Sequence, residues 1–363
     1  MFIHHRIGAS CFTLILAFVL NSCAGQITAS IPVEVTRIHQ DSISLEAETL
    51  PEFRVDVHDN EYQGNQISGV VRTVLQDTKG NFWFGTQNGL CRYDKDGLDY
   101  FDLKDWNGQG VTVHVIVEDK TGNIWIGYGG GIAKYDGNYF TIYHEKDILI
   151  RGGLWSMAMD RKGVLWIGTT QGVYTFDGEA LSPFKLPEGT IDSTKGISTT
   201  KMIHSIVEDS NGKMWFATNS GVHIYDGNTL TSISEMNGLQ SDFASQIIES
   251  TAGNFWISTT TGLFRYNRNS LTNITEELIK RGDSIGSIFE DKDGTLWFSV
   301  NKRDIYSYNG KAFIKIRSKD SDYAPFPFQI YQDQQERIWL VGFKGAYRIE
   351  NNNMINVTRN GPW

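Results

Sequence analysis

The sequence predicts an all-β protein, a seven-bladed β-propeller with four antiparallel strands per blade. Three observations predict it. Tryptophans recur at 83, 125, 166, 215, 256, 297 and 339, with spacings of 42, 41, 49, 41, 41 and 42, and a period near 41 is that of a propeller blade. An Asp-x-x-Gly turn precedes nearly every one of those tryptophans. A glycine follows each of them at a constant distance, with one exception.

The first 22 residues of the 363 read as a targeting segment. A weakly basic start (His4, His5, Arg6) precedes the apolar run Cys11 to Leu20, which is too short to cross a bilayer. It ends in Leu20-Asn21-Ser22-Cys23, which resembles a bacterial lipobox. That resemblance implies lipidation of Cys23 and anchoring in the cell envelope, at the outer membrane or in the periplasm. Ordinary cleavage after Ala24, giving a secreted soluble protein, is the alternative. With the leader removed and Cys23 lipidated, Cys91 would be the one free thiol left in the mature chain, so no intrachain disulfide is expected. Residues 23–65 are polar without sustained period and read as a tether with a lead-in strand.

The propeller is expected over 66–358. Asp77, Asp119, Asp160, Asp209, Asp291 and Asp333 stand six residues before their tryptophans, with Ser250 in the fifth repeat. Gly80, Gly122, Gly163, Gly212, Gly253 and Gly294 stand three before, with Glu336 in the seventh. Asp caps such a turn through its side chain, and Gly takes the left-handed conformation that closes it. Gly89, Gly131, Gly172, Gly221, Gly262 and Gly345 follow by six residues; the sixth repeat has Lys302-Arg303-Asp304, where Asp304 is expected in the left-handed position. A third turn comes from Asp136-Gly137, Asp177-Gly178, Asp226-Gly227 and Asn309-Gly310. Three turns make four strands. In the second repeat these are expected at 113–118, 123–127, 131–135 and 139–143. The tryptophans should fill the gaps between blades. Tyr93, Tyr135, Phe176, Tyr225 and Tyr266 should join the core. Residues 359–363 form a short tail.

The wording of the repeat is specific. Val-Glu-Asp-Lys-Thr-Gly-Asn-Ile-Trp-Ile-Gly (117–127) and Val-Glu-Asp-Ser-Asn-Gly-Lys-Met-Trp-Phe-Ala-Thr (207–218) resemble the two-component regulator propeller repeat. The likeness runs over about residues 66–358. Members of that family are typically the periplasmic sensor half of hybrid histidine kinases, often tuned to polysaccharide fragments. The resemblance therefore implies the scaffold and extracellular ligand recognition. It does not carry over phosphotransfer, because no kinase or receiver segment follows the repeats in this sequence. The repeat is also distantly similar to that of streptogramin lyases, whose catalytic and magnesium-binding pattern is not found here.

Eleven residues before each tryptophan stand Arg72, His114, Trp155, His204, Ser245, Gly286 and Phe328. Two positions later the column is uniformly apolar: Val74, Ile116, Met157, Ile206, Ile247, Ile288 and Ile330. A scaffold column repeats because each blade meets the same environment, so the varying column has been released from that demand. At the start of the inner strands it would ring the mouth of the central channel. Arg72 suits a carboxylate or sulfate; Trp155 and Phe328 suit the flat face of a sugar. The candidate ligand site is Arg72, His114, Trp155, His204, Ser245 and Phe328, and the expected ligand is an oligosaccharide or other small molecule. Plugging of the channel by satisfied side chains is the competing reading. The 49-residue spacing places an insertion at Lys185–Thr200, with Glu188, Asp192 and Lys195, on the same face.

Catalysis is the weaker reading. His114 and His204 with Arg72 could support lyase or hydrolase chemistry at the mouth. No Ser-His-Asp signature, zinc motif, phosphate loop or EF-hand is present, so neither cofactor nor metal is expected. Glu118, Glu208, Glu249 and Glu290 form a repeating column and read as scaffold. A docking platform for another envelope protein is the remaining alternative. Lys plus Arg is 33 against 42 for Asp plus Glu, a net charge of −9, which argues against nucleic acid and leaves the N-terminal lipid as the membrane contact.

Overall fold

The computed structural model describes residues 65–361 and 363, except 145–149, 151–152, 192–198, 235–237, 242, 280–282, 302, 319–325 and 362, together with 31–32 and 36–39. The leader, Cys23, Asp192, Lys195 and Lys302 lie outside the described residues.

Seven four-stranded antiparallel blades follow one another along the chain. Blade one is Val71–Gln76, Phe82–Thr86, Gly89–Asp94 and Gly97–Phe101. Blade two is Val113–Glu118, Ile124–Tyr128, Gly131–Tyr135 and Tyr139–His144, within a residue of the expected limits. The remaining blades open with Leu154–Met159, Ile203–Glu208, Ala244–Glu249, Ile285–Glu290 and Phe326–Gln332. Each inner strand touches the inner strands of the next and the preceding blade, the seventh against the first, so the ring is closed. Blades six and seven share one larger sheet, because their outer strands also pair in parallel at Arg317–Asn353 and Ser318–Met354.

Every interface between blades carries its own apolar cluster. Trp83 packs with Val113 and Ile116 of blade two, and the pattern continues to Trp339, which packs with Val71, Val74, Phe82 and Phe84 of blade one. The tryptophans are buried apart from the half-buried Trp297. Tyr135 and Phe176 are core as expected. Tyr93, Tyr225 and Tyr266 are only half-buried. The Tyr135, Tyr225 and Tyr266 hydroxyls donate to carbonyls of the Gly137, Gly227 and Arg268 turns, which is why a phenol suits a column otherwise apolar.

The turn aspartate has a second task. One carboxylate oxygen accepts turn amides; the other accepts the indole N–H of the tryptophan six residues on, at 2.7–3.0 Å in six blades. In blade five, where Ser250 replaces Asp, the Trp256 indole donates instead to Glu290 of the next blade at 2.8 Å.

The glutamate column is indeed scaffold. Glu118 accepts from the Thr78 amide of the preceding blade, Glu208 from Arg161, Glu249 from Ser210 and Glu290 from Thr251. Gln332 and Gln76 do the same for Lys292 and Gln334. Only the junction of blades two and three lacks the staple, since Met159 stands there; Lys120 Nζ donates to the Arg161 carbonyl instead.

The expected turn in blade six differs. Asn301, at φ 51°, takes the left-handed conformation, and Asp304 opens the third strand. Asn tolerates that region well, so the register needs no glycine.

Among the described residues, the seam between blades seven and one is not closed by exchange of a strand. Residues 65–67 instead run against 358–360: the Ile67 amide donates to the Thr358 carbonyl (3.0 Å) and the Asn360 amide to that of Asn65 (2.8 Å). Trp363 in the tail meets Tyr93 edge-on at 5.1 Å. Upstream, Thr36–His39 adds a fifth strand to blade two, and Ile31–Pro32 one to blade three. Both cover an outer edge that would otherwise present unpaired backbone groups.

Candidate functional site

The varying column occupies one distinctive backbone position. In each inner strand the ladder skips register at this point: between Val71 and Thr73, Val113 and Val115, Leu154 and Ser156, Ile203 and Ser205, Ala244 and Gln246, and Pro327 and Gln329. Arg72, His114, Trp155, His204, Ser245 and Phe328 are therefore bulge residues. In blade six the skip takes in Gly286 and Ser287. A bulge releases one residue from the ladder and re-aims its side chain. The apolar column two positions later remains paired and buried.

The bulge side chains do not form one uniform ring. Arg72, Phe328, His114 and Trp155 make a continuous arc across blades seven, one, two and three. The Arg72 guanidinium lies 4.4 Å from the Phe328 ring centre and 5.8 Å from that of Phe343. Its Nε is buried with no hydrogen-bond partner, and no carboxylate pairs with it among the described residues. The His114 and Trp155 rings lie 5.3 Å apart, and Trp155 is 41% exposed.

His204 stands apart in blade four. Its Nε2 is 2.7 Å from Asn219 Oδ1, and its ring is 4.6 Å from Phe243. Ser245 is committed to the wall, bonding Ser258 Oγ at 2.8 Å. At Gly286 a Cβ would come within 2.6 Å of Ser299 Oγ, so blade six contributes no side chain.

Both histidines are held neutral. Burial, then the nearby Arg72 charge, pushes the His114 imidazole from 6.5 down to about 4, and burial lowers His204 as well. A histidine with a lowered folded pKa takes up a proton more readily in the unfolded chain. The associated stability is complete above about pH 6.5 and is lost as pH falls towards 4. His114→Gln should therefore narrow the difference in unfolding free energy between pH 7 and pH 4.5 by about 2 kcal/mol, read by urea denaturation at the two pH values.

A second varying column escaped the sequence reading. Four residues after each tryptophan stand Gln87, Gly129, Thr170, Asn219, Thr260, Asn301 and Phe343. These lie at the turn joining the second and third strands, on the same face as the bulges. Asn219 contacts His204, and Phe343 contacts Phe328 at 4.9 Å and lies near Arg72. The same test of variability would have found them.

The family model for the two-component regulator propeller matches residues 65–88, 196–220 and 280–302, which fall in blades one, four and six. Among solved structures, the chain is similar to the extracellular domain of the BT3049 hybrid two-component system of B. thetaiotaomicron. That similarity has 24% identity and a TM-score of 0.63 over 79% of this chain and 40% of that one. The corresponding domain of BT4673 gives 22% identity and 0.61 over 76% and 37%. This chain thus spans about two fifths of those domains. Virginiamycin B lyase from Staphylococcus aureus, in an inactive form with quinupristin, gives 13% identity and 0.61 over 86% and 98%. These likenesses establish the propeller fold. A search of curated proteins found no match.

Proposed function

We propose, from the premise that this is a protein of two-component regulator propeller repeats, that it is an extracytoplasmic recognition propeller of a bacterial envelope. In this reading it binds an anionic ligand with flat apolar faces at the mouth of the ring. The observation that carries the reading is Arg72, a half-buried cation stacked on Phe328 and paired with no carboxylate among the described residues. A guanidinium so placed leaves donors for a planar anion, while Trp155 offers an exposed ring on the same arc. An acidic oligosaccharide has both features. The extracellular origin of the two sensor domains supports the envelope location, and the lipobox supports an N-terminal lipid anchor on Cys23. The neutral histidines lie in different sectors of the ring, which favours recognition over catalysis.

A second reading has its own support. Trp106 is 54% exposed and Ile191 65%. Both lie in connections that run from an outer strand to the next inner strand, on the face that also carries Trp155. Exposed apolar groups on one face suit a docking surface for another envelope protein.

Thermal unfolding in the presence of acidic and neutral oligosaccharides separates the two. A ligand at a hundred times its Kd adds about 2.7 kcal/mol. An acidic oligosaccharide should raise the Tm of the parent by several degrees and leave Arg72→Met unmoved, while its neutral counterpart does nothing to either. No shift with any glycan would sink the ligand reading in favour of docking.

A further inference from the structure

We infer that His204 faces the mouth as a neutral imidazole protonated on Nε2, with Nδ1 bare as a hydrogen-bond acceptor, and that Asn219 is the positioning residue that holds it so. The inference deepens the ligand reading. It rests on that reading for what the acceptor would bind, but not for the state of the ring.

The argument starts from a backbone carbonyl. Asn219 is 3% exposed, and its Nδ2 lies 2.6 Å from the Thr199 carbonyl oxygen. A carbonyl can only accept, so the NH2 side of the amide must face it. The amide oxygen must then face His204 Nε2 at 2.7 Å. An amide oxygen also can only accept, so Nε2 carries the proton. In a neutral ring the other nitrogen then holds the lone pair. Among the described residues Nδ1 has no partner, and it is not one of the sealed side-chain atoms that lack one.

The carbonyl that sets this chain of constraints belongs to the insertion between blades three and four. Thr199 is itself anchored, its hydroxyl donating to the Thr170 carbonyl at 2.8 Å. The Gly189 amide donates to the Thr200 carbonyl at 2.7 Å, and the Pro187 carbonyl accepts from Ser220 Oγ at 3.1 Å. Gly189 lies so close to Asn219 that a Cβ would come within 2.4 Å of its carbonyl oxygen. Both arms of the insertion thus clamp the Asn219-Ser220 turn. The extra length of this repeat acts on the mouth through one side chain.

The consequence is a polarity. Blade one supplies a cation at Arg72, and blade four, three blades round the ring, supplies an acceptor. A ligand fitting both carries an anionic group at one end and a hydroxyl or ammonium donor at the other.

Nitrogen-15 NMR of the imidazoles at pH 7, with His204 assigned by its loss in His204→Gln, reads the ring directly and needs no ligand. The expected spectrum of the parent has a protonated Nε2 and a pyridine-like Nδ1; Asn219→Ala should show a mixture of tautomers. A parent ring protonated on Nδ1 would overturn the inference, as would a single unchanged tautomer in a folded Asn219→Ala. Should that variant fail to fold, the parent spectrum still decides. If the tautomer is as stated and no acidic oligosaccharide binds, the ligand reading fails while the assignment stands.

Discussion

Asp209→Ala is expected to destabilise the protein by about 3 kcal/mol, lowering Tm by roughly 6 °C. Asp209 is fully buried and accepts from the Asn211 and Lys213 amides, at 2.9 Å each, and from the Trp215 indole at 3.0 Å. The turn amides can find water once the carboxylate is gone. The indole N–H of Trp215, 2% exposed, cannot. A buried donor left without a partner costs about 1–3 kcal/mol, and the lost bonds to a charged acceptor add to that. Asp209→Asn should fall between parent and Ala, since an amide oxygen can serve either the turn or the indole. Blade five supplies a control. Glu290→Ala should destabilise it comparably, because there the indole relies on Glu290, whereas Ser250→Ala should cost less than 1 kcal/mol. Urea denaturation of the four variants checks this. Equal losses at Asp209 and Ser250 would remove the indole bond as the cause.

Trp339→Ala is expected to cost about 4 kcal/mol and to change how the ring opens. Trp339 is fully buried between blades seven and one, its ring 5.1 Å from Phe82 and 6.1 Å from Phe84. Truncating such a side chain costs its transfer energy and leaves a cavity. Trp166→Ala, between blades three and four, makes a similar cavity. The two interfaces differ in connectivity: a direct chain link joins blades three and four, while among the described residues blades seven and one meet through side chains, the short pairing of 65–67 with 358–360 and a single bridge between Val70 and Phe343. Native-state hydrogen exchange should therefore show Trp339→Ala opening first at residues 67–76 and 353–358, below the free energy of global unfolding. Trp166→Ala should exchange its inner strands only through global unfolding. Identical exchange patterns in the two variants would show that the seam is no weaker than the linked interfaces.

The six staples that join neighbouring blades explain why a repeat can vary so much on one face and so little on the other. Turn amides on the lower rim are satisfied by Glu or Gln from the next blade, so that rim tolerates little change. The bulged residues of the upper rim answer to no ladder partner, and there the blades diverge.

The repeat pattern alone was enough to determine the fold, because a blade is a local object. Its turns are set by Asp and Gly at fixed offsets, its strands by the runs between them, and seven in-phase copies leave little choice of architecture. The Glu column could be assigned to scaffold for the same reason: a residue that recurs from blade to blade, as Glu118, Glu208, Glu249 and Glu290 do, serves a need the blades share. Variation identified Arg72, His114, Trp155 and His204 as candidates. It could not say that Arg72 stacks on Phe328, that Ser245 is spent on the wall or that Asn219 sets the tautomer of His204. Arg72 and Phe328 stand at opposite ends of the repeats, and only closure of the ring brings them within a few ångströms; the Ser245 and Asn219 contacts each lie within one blade, but they depend on where the bulge and the turn aim their side chains. The seam belongs with the Arg72 contact: residues 65–67 and 358–360 carry no mark of partnership in the sequence, since no repeat prescribes how the last blade meets the first.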